Sequence, residues 1–383
     1  MREASRQPAR GLEVKVLMLM PDPRVRGPIA RHGANLVRAM TALGAHVLVR
    51  SWGRHADDEG LVASAVGRVL DIWRIRGVLR SSEYDVFFIK TAHDRRALVR
   101  DIPLLVATHG LARCRIVQFH GSLSNELSMP GHFVMKAASR WLVCNADAVL
   151  VLSSEEAREW RAFEPRGRFH VVANTYVHKR ALERPSAQPV DLAGGQPPLI
   201  LFVGRLIAAK GVFDLVEAVS TVQREGISCR LAFAGDGEGR ATLAERIRSK
   251  GLQDTAVLLG HLDGPELARA YVDADVFALP SYNEGFPTVL AEAMDAGLPI
   301  VTTGIRGAVD HLAEGRNALF VPPGRVDLLA DALSRVLLDA ELRLVMAAAN
   351  REKVKEFAPD VVAREYMHVL LTVLKTGAPA SIR

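Results

Sequence analysis

Residues 198–206, PLILFVGRL, carry the reading that decides the fold. An unbroken apolar run from Leu199 to Val203, with no polar alternation, describes a strand buried on both faces, the signature of a parallel sheet. Gly204 and Arg205 end it, and helix-period sequence begins near Gly211. The same unit recurs downstream as CRLAFAGDG (229–237), AVLLGHL (256–262), DVFALPS (275–281), PIVTT (299–303) and ALFVPPG (318–324). Upstream it appears as VKVLMLM (14–20), HVLVRSW (46–52), YDVFFIK (84–90), RIVQFHG (115–121), AVLVLSS (148–154) and FHVVANT (169–175). Short Val- and Ile-rich runs separated by helical stretches are βαβ units, so the fold class is α/β with two doubly wound domains. Residues 181–198, ALERPSAQPVDLAGGQPP, lose that rhythm and read as a linker. The expected division is a first domain over 1–180, the linker 181–198, a second domain over 199–358, and a closing helix and tail over 359–383. Residues 327–356 and 359–376 read as helices.

A chain of 383 residues exceeds what one core usually supports, in keeping with two domains. Apolar residues make up 49% and charged residues 24%, a globular balance that excludes disorder. The longest apolar stretch, 143–152, is interrupted by Asn145 and Asp147 and falls far short of a membrane span. The opening MREASRQPAR lacks the apolar segment of a secretory signal, from which a cytoplasmic location is expected. Cys114, Cys144 and Cys229 are odd in number and widely spaced, and read as reduced thiols. Charge is unevenly divided: residues 1–180 carry 28 basic against 17 acidic side chains, net +11, and the remainder 21 against 26, net −5. A basic front half suits an anionic partner, whether nucleic acid, a membrane surface or a phosphorylated substrate, or else is a solvated face with no partner.

Ligands of an open parallel sheet bind beyond the carboxyl ends of its strands, which selects three loops in the second domain. LFVGRLIAAKG (201–211) presents Gly204, Arg205 and Lys210, two cations suited to a diphosphate. LLGHLDGPEL (258–267) offers His261. FALPSYNEGFPT (277–288) leads into a helix whose amino end favours an anion, with Gly285 allowing close backbone approach and Pro287 placed for the first helical turn. Glu284 and Glu292 bracket that anion site and would repel the anion itself, so their useful partners are hydroxyl groups on either side of it. Ribose, diphosphate and hexose, the parts of a nucleotide sugar, have that order.

The E-x7-E stretch from Glu284 to Glu292 with its GFP insert, preceded by Gly204-Arg205 and Lys210-Gly211, resembles the family 4 retaining glycosyltransferases of the GT-B fold. The resemblance covers nearly all the chain and is most specific from Pro198 to Pro323. It implies two Rossmann-like domains facing a central cleft, the first on the acceptor side and the second binding the nucleotide sugar, with 359–383 packing back on the first. It implies transfer of a hexosyl unit, with retention, from a nucleoside diphosphate sugar to a hydroxyl of a saccharide or lipid-linked saccharide in cell-surface or extracellular polysaccharide or glycolipid biosynthesis. No cofactor is implied. By the same resemblance Arg205 and Lys210 bind the donor diphosphate beside Gly204, Glu292 holds the ribose, and Glu284 contacts the donor sugar. The backbone of Gly285, Phe286, Pro287 and Thr288 closes on sugar and phosphate, and His261 borders the donor. In the first domain His120 faces the donor sugar across the cleft. Where the family carries two glycines after the first strand, this chain has Arg26-Gly27-Pro28, leaving Gly27 as the phosphate neighbour.

Other patterns compete. FAGDGEGR (233–240) follows a strand, but Arg240 stands where a dinucleotide fingerprint has its third glycine, so it reads as a turn bordering the nucleotide. Asp273 and Asp275 form a DxD at the entry to a strand, the edge opposite the ligand loops, and the two cations supply the charge a metal would bring, so a metal-independent site is expected. Residues 66–80, VGRVLDIWRIRGVLR, form either a helix packed on the sheet or a basic amphipathic surface touching anionic lipid at the inner membrane face. Nucleic-acid binding is not expected, since the basic excess is scattered and lacks an aromatic-rich motif. Two rival functions remain: a GT-B-like nucleotide-sugar 2-epimerase, against which the E-x7-E stretch argues, and a donor-binding, non-catalytic partner subunit.

Overall fold

The computed structural model describes residues 14–22, 28–53, 61–179, 182 and 196–376. Gly27 and most of the 181–198 segment lie outside the described residues. The chain divides into two compact units, one of residues 1–175 with 359–383, the other of 176–358.

In the first unit the elements run β1 (Lys15–Met20), α1 (Pro28–Ala42), β2 (His46–Ser51), α2 (Leu61–Ser81), β3 (Tyr84–His93), α3 (Arg95–Ala107), β4 (Ala112–Ser122), α4 (Phe133–Cys144), β5 (Ala148–Val151), α5 (Ser154–Phe163) and β6 (Phe169–Val171). The strands form one parallel sheet in the order β2-β1-β3-β4-β5-β6. Its central strands are buried on both faces, with Leu17, Phe87, Val117 and Val149 each at most 1% exposed, which is why they read as unbroken apolar runs. Strand-to-helix turns are fixed locally. Asp94 caps α3 by accepting the Ala97 N–H at 2.8 Å. Ser153 caps α5 by accepting the Glu156 N–H at 3.1 Å, while the Glu156 carboxylate takes the Leu152 N–H at 3.2 Å.

The second unit runs β7 (Leu199–Val203), α6 (Val212–Arg224), β8 (Arg230–Ala234), α7 (Arg240–Ser249), β9 (Ala256–Gly260), α8 (Gly264–Asp273), β10 (Val276–Leu279), α9 (Thr288–Asp295), β11 (Ile300–Thr303), α10 (Gly307–His311), β12 (Ala318–Val321), α11 (Val326–Leu338) and α12 (Ala340–Lys353). Its parallel sheet has the order β12-β11-β10-β7-β8-β9, which reverses direction between β7 and β10. All twelve apolar runs picked out in the sequence are strands. The stretch 327–356 is not one helix: Asp339 leaves helical geometry (φ −96°, ψ 96°) and its carboxylate accepts the Leu342 N–H at 2.8 Å, closing α11 and opening α12. The last helix, α13 (Pro359–Thr376), belongs to the first unit, where it packs on α1 and β4.

Helix α2 bears out the packed reading of residues 66–80 and leaves an exposed face beside it. Ile75 and Leu79 are buried against the sheet, while Val69, Leu70 and Trp73 stand 56%, 49% and 68% exposed beside the exposed Arg74 and Arg80. Among the described residues no helix is long and apolar enough to cross a membrane.

Candidate active site

The crevice where strand order reverses, between β7 and β10, is where an open α/β sheet binds its ligand. The loops leaving those two strands are clasped together. The Ala209 carbonyl accepts the Tyr282 N–H at 2.9 Å and the Ser281 hydroxyl at 3.1 Å. Gly211 ends the first loop at φ +68°, where a Cβ would lie 2.0 Å from the Pro280 carbonyl oxygen. From below, the Thr303 hydroxyl donates to the Ser281 carbonyl at 2.6 Å and Thr302 to the Leu279 carbonyl at 2.8 Å. Held this way, Lys210 and Glu284 meet as an ion pair, their side chains only 17% and 13% exposed. Arg205 stands exposed at the end of β7.

The glycines of FAGDGEGR serve this clasp. The Gly204 N–H bonds the Ala234 carbonyl at 3.0 Å, the Leu206 N–H bonds that of Asp236 at 3.0 Å, and the Gly239 N–H bonds that of Leu206 at 2.8 Å. A Cβ on Gly235 would approach the Gly204 carbonyl oxygen to 1.9 Å. Backbone lies on backbone, so the glycines admit the neighbouring loop.

Glu292 sits on α9, 3% exposed. Lys179 Nζ lies 2.5 Å from its Oε1, and the Tyr271 hydroxyl donates to its Oε2 at 3.0 Å. One turn on, Asp295 accepts the Tyr176 hydroxyl at 2.7 Å and the Lys179 N–H at 2.9 Å, and meets His178 Nδ1. Burial, then the charges of Glu292 and Asp295 respectively, push the hydroxyls of Tyr271 and Tyr176 well above the ordinary tyrosine range. Residues 176–179 are therefore strapped to α9 by its two carboxylates, a tie the sequence reading missed because it joins positions more than a hundred residues apart.

Pro287 occupies the cap of α9 (φ −73°, ψ 135°), one position before the first turn where the sequence reading put it, and Thr288 opens the helix. The Gly285 carbonyl accepts the Gly307 N–H at 2.9 Å. Phe286 turns inward, 5% exposed, stacked on Phe357 at 4.9 Å between centroids and edge-on to His311 at 4.7 Å. Its ring anchors the loop, and only its backbone is left to face a ligand. Also missed was Arg306, buried at the start of α10 with φ 44° and ψ −128°, a conformation costly for any residue with a Cβ.

His261 is 62% exposed at the end of β9, 3.9 Å from Asp263, and β8 separates its strand from β7. Asp273 and Asp275 lie at the amino end of β10: Asp273 is 3.5 Å from Arg269, and Asp275 accepts the Leu199 N–H at 2.8 Å. Among the described residues no group of three or more His, Cys, Asp or Glu side chains is set to hold a metal. All three cysteines are free, Cys114 and Cys229 buried with thiols pushed up to about 11 by burial. In the first unit His120 lies within β4, two residues before its end, its pKa held well below the ordinary value by burial, then by Lys90 and His32.

Comparison with known proteins gives a consistent outcome. The model of the glycosyl transferases group 1 matches residues 184–353, and that of glycosyltransferase family 4 matches residues 3–180. The chain is 31% identical over 252 residues to an alpha-D-kanosaminyltransferase of Streptomyces kanamyceticus, a match covering 64% of each chain. It is 30% identical over 288 residues to a glycogen synthase of Mycobacterium tuberculosis, covering 73% of this chain and 66% of that one. The matched stretches thus span just under two thirds of these relatives. Among solved structures, a sucrose-phosphate synthase from Thermosynechococcus elongatus superposes with a TM-score of 0.77 at 19% identity, over 95% of this chain and all of the other. HepE of Anabaena, solved with UDP-glucose, superposes with a TM-score of 0.68 at 20% identity, over 94% of this chain and all of the other. These likenesses establish the GT-B fold.

Proposed function

Because the chain belongs to the group 1, family 4 glycosyltransferases, we propose that it moves a hexosyl unit from a nucleoside diphosphate sugar to a hydroxyl acceptor, with retention at the anomeric carbon. The observation that carries the proposal is the Lys210–Glu284 pair, presented at the crevice between β7 and β10. A cation for a diphosphate and a carboxylate for sugar hydroxyls stand side by side, and a nucleotide sugar would take both at once. On binding, Lys210 and Arg205 would turn to the diphosphate, Glu284 to the hexose and Glu292 to the ribose. HepE with its UDP-glucose supports a donor of this kind.

As the bond between the anomeric carbon and the diphosphate oxygen breaks, its electron pair goes to the diphosphate. The two cations and the amino end of α9 stabilise that charge. The acceptor oxygen bonds the anomeric carbon on the same face and its proton passes to the departing phosphate oxygen. No metal takes part in this scheme, so activity should persist in EDTA. A panel of UDP, GDP and ADP sugars in a thermal-shift assay tests the proposal: a true donor at 100 times its Kd stabilises by about 2.7 kcal/mol, and Lys210→Ala should abolish most of that shift. No shift with any member would refute it.

The acceptor is proposed to be a saccharide or lipid-linked saccharide taken at the cytoplasmic face of a membrane. Exposed apolar side chains gather on the helices of the basic first unit: Trp73 on α2, Val99 on α3, and Phe133 and Val134 on α4, the last two 82% and 85% exposed. Apolar tips among arginines suit an anionic lipid surface. Sedimentation with vesicles should require anionic lipid and weaken with salt.

A further inference from the structure

A buried lysine at the carboxyl end of the first sheet is left unused by this scheme. Lys90 lies on β3, 2% exposed, beside the β1–β3 crevice where that sheet's strand order reverses. Its Nζ stands 5.8 Å from the Phe88 ring centroid and 5.4 Å from that of Tyr366 on α13. Among the described residues no carboxylate pairs with it and no acceptor bonds its nitrogen. Among the described residues Tyr366 of α13 and His120 of β4 face it, and His32 of α1 lies beside His120; Glu365, next to Tyr366, is exposed. Burial alone pulls the Lys90 pKa down to about 7.

Three polar atoms in this part of the unit are buried without a hydrogen-bond partner: Gln118 Oε1, His120 Nε2 and Asn174 Oδ1. Gln118 is the register partner of Lys90 across β3 and β4, and its amide nitrogen already donates to the Tyr366 hydroxyl at 2.5 Å. Asn174 sits between Ala173, whose carbonyl accepts from Tyr366 at 3.4 Å, and Thr175, whose carbonyl lies 2.7 Å from His32 Nδ1. Orphaned groups of this kind are rare in a folded core, because each gives up its hydration without a partner in return. Among the described residues no carboxylate is paired with Lys90, so a counter-charge for it can arrive with a ligand.

We propose that Lys90, with His120 beside it, forms an oxyanion subsite that takes a phosphoryl-type group carried by the acceptor. Protonated Lys90 has three N–H groups to place; Gln118 Oε1 is an open acceptor for one, and the anion takes the others. A neutral polyol would not repay the lost hydration of the ammonium. That the anion belongs to the acceptor rests on the glycosyltransferase reading; that the site takes an anion does not.

The test is a pH titration of the protein carrying 13Cε-labelled lysine, followed by NMR. The sequence has nine lysines, so the Lys90 resonance can be assigned by its loss in Lys90→Met, or in Lys90→Arg should that variant fold poorly. Inorganic sulfate, which does not titrate in this range, is the probe. Sulfate should raise the Lys90 midpoint from about 7 by one unit or more, a tenfold preference for the charged form, and should do so with a saturating nucleoside diphosphate present. A midpoint unmoved by sulfate, or moved no more than those of the other lysines, overturns the subsite. A shift that the nucleoside diphosphate abolishes assigns the site to the donor's diphosphate and overturns the acceptor assignment. Failure of every nucleotide to bind would count against the glycosyltransferase reading while leaving the sulfate result intact.

Discussion

Lys210 and Glu284 neutralise each other as an ion pair, so a nucleoside diphosphate must part them before it can use the lysine. Glu284→Gln removes that competition. The pair is mostly shielded, at 17% and 13% side-chain exposure, so its net strength lies above the near-zero of surface pairs but is opposed by desolvation. A value of about 1 kcal/mol corresponds to roughly fivefold in affinity. Free nucleoside diphosphate should therefore bind Glu284→Gln as well as the wild type or up to about fivefold tighter, since Lys210 stays in place and loses only its rival. The sugar donor should behave oppositely. It needs the carboxylate for its hexose hydroxyls, and transfer should fall by about 10²-fold, the scale of losing one charge-assisted contact in the transition state. Isothermal titration calorimetry with the nucleotide and its sugar, alongside initial rates, separates the two effects. Tenfold weaker binding of the free nucleoside diphosphate to Glu284→Gln would refute the reasoning, because the carboxylate would then be serving the nucleotide and not competing with it.

Phe286→Ala should cost about 3–5 kcal/mol, since the ring leaves a cavity against Phe357 and His311; a melting temperature within a degree of wild type would show that the ring is not an anchor. Glu292→Gln should lower both stability and nucleotide affinity, because it disturbs Lys179 and Tyr271 as well as the proposed ribose contact, whereas Asp295→Asn should lower stability alone; equal nucleotide losses in the two would place Glu292 among purely structural residues. Lys90 predicts a pH effect. Its folded pKa near 7 lies below the ordinary 10.5, so between those values the unfolded chain binds more protons and this group makes the native state more stable as pH rises. Denaturation curves of wild type should gain stability relative to Lys90→Met from pH 7 towards pH 10, and parallel curves would show that the amine is not desolvated.

How far the sequence carried the structure depends on the range over which each feature is encoded. A strand buried on both faces must be apolar throughout, so runs such as Leu199–Val203 announce themselves within five residues, and all twelve were legible. The order of those strands is not local. That β10 lies beside β7, and that Lys210 therefore meets Glu284, follows from pairings across more than seventy residues, which no window of sequence contains. Glycine patterns were legible as loops but not as to purpose: GxGxG in FAGDGEGR admits the Gly204 carbonyl, where a local reading sees only a turn. Phe286 shows the same limit from the other side, its place in a ligand-facing loop being readable and its inward direction being set by the distant Phe357. Lys90 escaped notice because a single lysine ending an apolar strand ordinarily marks the strand's exit to water. Only the packing of α13 over β4, a contact between the last helix and the middle of the first sheet, turns that exit into an enclosed basic cluster. Features that a short segment must satisfy on its own are thus written plainly in the chain, and those that arise where two distant segments meet, the binding sites above all, are written only in the fold.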